Sequence, residues 1–122
     1  MKLNNYFIHQ SAIALASIVK DANLYIPAKV NYYLQKNIEL IAQTAQAIEE
    51  QRLTILNKYG VPTEDNTNFT IPSENTEIVN KELFELFSVE QELNIMVINL
   101  SDLENASFNS AQMQALMFMI QV

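Results

Sequence analysis

The stretch Ala28–Tyr59, AKVNYYLQKNIELIAQTAQAIEEQRLTILNKY, contains neither Gly nor Pro. Within it Leu34, Ile38, Ile41, Ala45, Ile48, Ile55 and Tyr59 recur at steps of four, three, four, three, seven and four. That spacing keeps apolar side chains on one stripe of a 3.6-residue helix, and only Arg52 interrupts the seam. Pro27 precedes the run, where a missing N–H costs nothing in a first helical turn. Gly60 and Pro62 follow it, the glycine placed as a left-handed stop and the proline as a second barrier. The reading is one unbroken helix of roughly 45 Å at 1.5 Å per residue.

The shorter elements are read outward from this rod. Upstream, Ile8, Ala12, Leu15 and Val19, with Phe7, Ser11 and Ile18, share one side of an amphipathic helix from about Asn4 to Lys20. Asp21-Ala22-Asn23 ends that helix, and Leu24-Tyr25-Ile26-Pro27 reads as an extended connector because the residue before Pro is pushed out of the α region. Downstream, VPTEDNTN (residues 61–68) is a polar loop and Phe69-Thr70-Ile71 a short strand halted by Pro72. Ser73 is placed as an N-cap for a helix running to about Phe87, with Val79, Leu83, Leu86 and Phe87 on its buried face. Leu93–Ile98 is rich in β-branched residues and reads as a second strand. Ser101-Asp102-Leu103-Glu104 fits a capping box opening a single turn, and Asn109 with Gln112 starts a last helix through about Met119. The expected fold is a single domain over 1–122, α+β and predominantly α. It has a long central helix, shorter packed helices and a small two-stranded sheet.

Composition narrows the function classes. The chain has no Cys, one Gly and three Pro, which excludes disulfides and thiolate metal sites and disfavours a turn-rich β architecture. Up to Thr63 six bases face four acids, and from Glu64 onward ten acids face Lys81 alone, so the halves carry +2 and −9 and sum to −7. An acidic chain of this kind is not expected to bind nucleic acid directly. The apolar run 12–19 is too short for a membrane span and lacks a cleavage site, so neither membrane nor secretion is expected and the cytoplasm is the default.

Candidate chemistry is sparse. His9 is the sole histidine and has no Cys or second His to complete a metal site. No feature places a particular Ser beside it for nucleophilic catalysis. The pairs Glu49/Glu50, Glu64/Asp65, Glu74/Glu77 and Glu90/Glu92 match no calcium-loop spacing and read as solvated faces. No glycine-rich phosphate cradle exists, and no cofactor is implied. Tyr25, Tyr32 and Tyr33 with Lys29 and Lys36 could stack on a nucleotide-like ligand, although packing against the first helix accounts for them more simply. The last helix carries Met113, Leu116, Met117, Met119 and Ile120 and must be covered by the protein's own core or by another subunit, with self-burial preferred.

The order of these elements resembles a small uncharacterised protein family of tailed bacteriophages and prophages. The stretches that carry the likeness are LYIPAKV (24–30), QRLTILNKYG (51–60), IPSEN (71–75) and NKELFEL (80–86). VEQELNI (89–95), INLSDL (98–103) and FNSAQMQAL (108–116) continue it. The chain departs from the family pattern at Ser110, where the family has Pro, and at Met117, where it has Glu. The resemblance implies a phage origin, acting in the host cytoplasm, and no catalytic residue. The function expected from the whole reading is a non-enzymatic protein-interaction module for virion assembly or an accessory role. Arg52, Glu82, Glu85, Glu90 and Glu92 would be its contacts to a phage or host protein, with a possible homodimer. The alternative is an antagonist of a host defence system, either an acidic nucleic-acid mimic or a sponge for a signalling nucleotide.

Overall fold

The computed structural model describes residues 1–21 and 24–122. Its dominant element is the long helix α2, Ala28–Tyr59, which runs unbroken between the boundaries expected from Pro27 and Gly60. Before it come a short strand β1, Lys2–Asn4, and helix α1, Asn5–Val19. After it, β2 (Val61–Pro62) and β3 (Phe69–Thr70) form a small hairpin. A 3-10 turn at Ser73–Asn75 leads into α3, Thr76–Ser88. Then follow β4 (Glu90–Glu92), β5 (Ile98–Asn99), a 3-10 turn at Leu100–Leu103, α4 (Ser110–Leu116) with a 3-10 extension at Met117–Met119, and β6 (Ile120–Gln121). The fold is α+β and predominantly α, with the sheet content in separate two-stranded pieces.

Two of these pieces tie distant parts of the chain together. β1 pairs antiparallel with β4, matching Leu3 to Gln91, and β5 pairs parallel with β6, matching Ile98 to Ile120. The core lies where α1 and α4 meet the N-terminal two thirds of α2. Ile8, Leu15 and Ile18 from α1 meet Leu34, Ile41 and Ile48 from α2, and Leu116 and Met119 close the layer. Most of the methionine-rich terminus is therefore buried by the chain itself, while Met117 points out.

The stripe on α2 differs from the expected one in an instructive way. Val30, Leu34, Asn37, Ile41, Ala45 and Ile48 are its buried residues, whereas Ile38, Ile55 and Tyr59 are half-buried. Asn37 sits in the middle of the stripe. Its Oδ1 accepts from the Met96 backbone N–H and its Nδ2 donates to the Met96 carbonyl, both at 2.8 Å. A side-chain amide thus takes both ladder positions that a neighbouring strand would have offered to Met96.

That clamp corrects the expected strand at 93–98. Only Ile98 enters a strand, and the preceding residues run as irregular chain along α2. The expected pairing partner, Phe69, instead folds back on Pro62 across the loop. Other local expectations also change. Gly60 ends α2 with extended backbone (φ −120°, ψ 175°) rather than a left-handed cap. The glycine is needed for space: a Cβ there would stand 2.6 Å from Ile71 Cδ1 and 2.8 Å from the Leu56 carbonyl oxygen. Pro27 is the residue immediately before α2, its carbonyl accepting from Asn31 N–H at 2.8 Å. Ser73 lies inside a 3-10 turn and caps nothing, and no side chain caps the turn at Leu100–Leu103. The expected capping box at Asn109 is present: its Oδ1 accepts from Gln112 N–H at 2.8 Å and Gln112 Oε1 accepts from Asn109 N–H at 2.9 Å. On α1, Phe7 and Val19 stay exposed, and Asn5 takes a buried place that pattern reading gives to apolar residues. The end expected for α1 at Ala22 and Asn23 lies outside the described residues.

Candidate functional site

Side chains of three helices converge at the junction of α1, α2 and α3. Glu49 and Arg52 are three residues apart on α2 and so face the same way. Arg52 Nε donates to Glu49 Oε2 at 2.8 Å and a terminal guanidinium nitrogen to Oε1 at 2.6 Å, a bidentate pair. His9 Nε2 from α1 lies 3.0 Å from Glu49 Oε2, and the imidazole edge packs on Phe87 of α3 at 5.6 Å between ring centroids. The Arg52 guanidinium, with a smaller contribution from His9, outweighs partial burial and holds the Glu49 carboxyl down at about 2. Arg52 breaks the apolar seam because this network uses it. His9 is likewise engaged, and among the described residues no group of three or more His, Cys, Asp and Glu could hold a metal ion.

Of the four expected acidic contacts, two fall in a different groove along α2. Glu82 and Glu85 from α3 line a groove of about 440 Å³ against α2, together with Gln51, Lys58, Leu86 and Val89. Tyr59 Oη donates to Glu82 Oε1 at 3.2 Å, and the Tyr59 hydroxyl and Glu82 together raise the Lys58 ammonium above its ordinary value. Glu90 and Glu92 lie on β4, two residues apart and thus on one face of the strand. Glu90 lies 3.5 Å from Lys2 Nζ, and Glu92 accepts from the Met1 amino group at 2.7 Å, which holds its carboxyl below the usual range. Behind them Gln91 turns inward and donates to Asn5 Oδ1 at 2.6 Å, while Asn5 Nδ2 donates to the Leu86 carbonyl at 2.9 Å. The buried Asn5 therefore fixes the end of α3 and the start of β4. Glu82 and Glu85 share one groove, Glu90 and Glu92 share one face of β4, and Arg52 stands in the groove between α1 and α2.

Sequence reading passes over the most exposed large side chain of that helix. Phe84 is 73% exposed, beside Glu85 and one turn from Lys81. Its signal in NKELFEL is positional: Val79, Leu83, Leu86 and Phe87 make one stripe, and Phe84 falls off it. Val79 is the only fully buried residue of α3, so the helix is anchored along one edge and free along the rest. A ring this exposed is the kind of side chain that the centres of protein interfaces use.

The tyrosine patch is partly spent on structure. Tyr33 is half-buried against the core, Lys29 lies 3.4 Å from Asp102, and Lys36 Nζ sits 5.8 Å from the Tyr32 ring centre. The backbone of Tyr25 is pinned by Ser107, whose Oγ accepts from its N–H at 2.6 Å. Among the described residues no helix is long and apolar enough to cross a membrane. Comparison with known proteins gives no match: no family model, no curated protein and no solved structure is similar to this chain.

Proposed function

We propose that the chain is a phage-encoded, non-enzymatic protein-interaction module, used in virion assembly or as an accessory protein in the host cytoplasm. The phage origin rests on the motif order set out above. The interaction role rests on one observation: Phe84 is 73% exposed on α3, the helix that also carries Glu82 and Glu85. Interface centres are enriched in aromatic rings that fill a partner's pocket, and charges at the rim set encounter rate and register. The partner surface is accordingly basic with an apolar socket. Arg52, already held by Glu49, contributes its remaining N–H donors from the neighbouring groove.

The antagonist alternative draws less support. Mimicry of a nucleic acid needs free carboxylates in a row, and Glu49, Glu90, Glu92 and Asp102 each have a cation within 4 Å. The test is a pull-down from phage-infected cells with the wild-type chain and with Phe84→Asp, read by mass spectrometry, alongside sedimentation of virions and precursors. The expected result is a basic phage or host protein captured by the wild type and lost with Phe84→Asp. Absence from particles and precursors, with captured proteins unchanged by Phe84→Asp, would refute the reading.

A further inference from the structure

Two segments of the sequence carry no Asp, Glu, Lys or Arg: Asn5–Val19, which is α1, and residues 105–122, which include α4. The chain has seven basic and fourteen acidic residues, so both gaps are long for its composition. The fold sets the two segments side by side. Phe7 of α1 meets Phe118 edge to face at 5.1 Å, and a furrow of about 400 Å³ runs between the helices past Gln10, Ala14 and Met117. On the other flank of α1 a second furrow of about 500 Å³ separates it from α2, bordered by Ile13, Ala16 and Gln46. The helix stands as a ridge between two mainly apolar furrows, the α1–α2 one bordered at one end by His9, Glu49 and Arg52.

We propose that this face is the contact between two copies of the chain, related by a two-fold axis passing near the middle of α1. A two-fold interface requires a patch that is complementary to itself, and a ridge lying beside furrows meets that requirement, since each ridge enters the other copy's furrow. Charge selects the partner. Two molecules of net charge −7 repel, and an uncharged face lets them meet without opposing like charges. At one end of the α1–α2 furrow Glu49 and Arg52 neutralise one another, and beyond the end of α1 the Asp21 carboxylate accepts from Gln112 Nε2 of α4 at 3.0 Å. A basic partner would instead be drawn to the carboxylates of α3 and β4.

The area also fits. With residue surfaces on the order of 200 Å², Tyr6 at 59%, Ile13 at 62% and Met117 at 65% expose roughly 120 Å² each. Phe7, Gln10, Ala16, Ser17 and Gln114 bring the face to roughly 600–700 Å², near the ~800 Å² that each partner gives to a standard interface. The face shares no residue with α3, although its α1–α2 furrow also holds Arg52, and the proposal does not depend on the reading of Phe84.

Sedimentation velocity of the full chain from about 1 to about 200 µM tests it. The expected mass is twice 13.9 kDa, that is 27.8 kDa, for the wild type at the upper concentrations. Ile13→Glu and Met117→Glu should each return the 13.9 kDa monomer with an unchanged thermal melt, because both side chains are exposed. Phe84→Asp should leave the dimer intact. The chain has no Cys, so Ile13→Cys offers a single thiol that should cross-link two copies under a mild added oxidant, while Phe84→Cys should not. A wild type that stays monomeric at the highest concentration overturns the proposal, as does a dimer that survives both glutamate substitutions. A monomer whose captured partners vanish with Ile13→Glu would assign the face to a different protein and overturn it equally.

Discussion

Replacing Asn37 with Ala should cost more than any other single truncation of a polar side chain in the molecule. The amide is 1% exposed, bonds the Met96 backbone through both its oxygen and its nitrogen, and donates a further N–H to Met119 Sδ at 3.3 Å. Alanine removes two neutral hydrogen bonds of ~1 kcal/mol each. It also leaves the Met96 N–H and carbonyl at a half-buried helix surface, where the two groups, partly met by water, together cost about 1 kcal/mol, and it opens a small void. The sum is about 3 kcal/mol, a substantial part of the 5–15 kcal/mol by which a domain is ordinarily stable. For a chain of this length that corresponds to a fall in Tm of roughly 10 °C.

Urea denaturation followed by far-UV circular dichroism would measure the loss, and hydrogen exchange at the Met96 amide would locate it. Asn37→Leu fills the space without restoring the bonds and should recover less than half of the deficit. Asn37→Asp is the sharper probe. It keeps the acceptor for Met96 N–H but sets a carboxylate oxygen against the Met96 carbonyl, so the carboxyl should resist ionising. Its folded-state pKa would stand above the unfolded value. Its penalty should therefore be smallest near pH 4 and grow as the pH rises toward 7. An Asn37→Ala chain that loses under about 0.5 kcal/mol, with Met96 protection unchanged, would show that the clamp does not hold this segment.

Three further outcomes follow from the geometry. Gly60→Ala meets Ile71 Cδ1 at 2.6 Å and the Leu56 carbonyl oxygen at 2.8 Å, so it should destabilise by about 1–3 kcal/mol, despite a backbone conformation any residue can adopt; a chemical melt checks this. Glu49 is held at about 2 against an ordinary 4.5, so its contribution is complete above pH 4.5 and fades as the pH falls toward 2. At face value that is roughly 3 kcal/mol, but its side chain is 37% exposed and solvent screening reduces it to about 1 kcal/mol. Glu49→Gln should accordingly lose about 1 kcal/mol less than the wild type between pH 5 and pH 2, read from urea midpoints. Asn109→Ala removes one half of the α4 capping box and should cost ~1 kcal/mol, most of which Asn109→Ser restores; calorimetry would show it.

The elements legible in the sequence are those whose cause is local. α2 has its full length in the pattern because propensity, period and the flanking Pro27 and Gly60 all agree, and no tertiary contact has to override them. The Asn109–Gln112 box is equally local, since both bonds close within four residues. Residues 93–98 fail for the opposite reason. Their β-branched alternation is real, but a strand is made by its neighbour, and the neighbour here is a side-chain amide 59 positions away in sequence. Asn37 leaves one trace: it stands three residues after Leu34 and four before Ile41, the spacing of a core position, where a polar residue demands a partner. Gly60 is found at the right place for a different reason, because close approach of Ile71 and Thr70, which only the fold creates, excludes a Cβ.

The candidate surfaces show the same division between linear and folded information. Counted along the chain, the halves stand at +2 and −9, which suggests a molecule with a basic and an acidic end. Folding crosses the halves. The Met1 amine meets Glu92, Lys2 meets Glu90 and Lys29 meets Asp102, so three cations of the first half sit on carboxylates of the second. Exposed pairs of this kind add little stability, yet they flatten the field that the linear count predicts. What the fold segregates is charge from its absence: α1 and α4, both empty of charged side chains, come together across the core, and the unpaired carboxylate Glu85 stands by Phe84 on α3. An acidic protein that keeps one broad face uncharged spends solubility to do so, since the same positions could carry Glu or Lys at no cost to helices whose buried sides are already filled. A covering partner gives a reason for that expense, and solvent alone gives none.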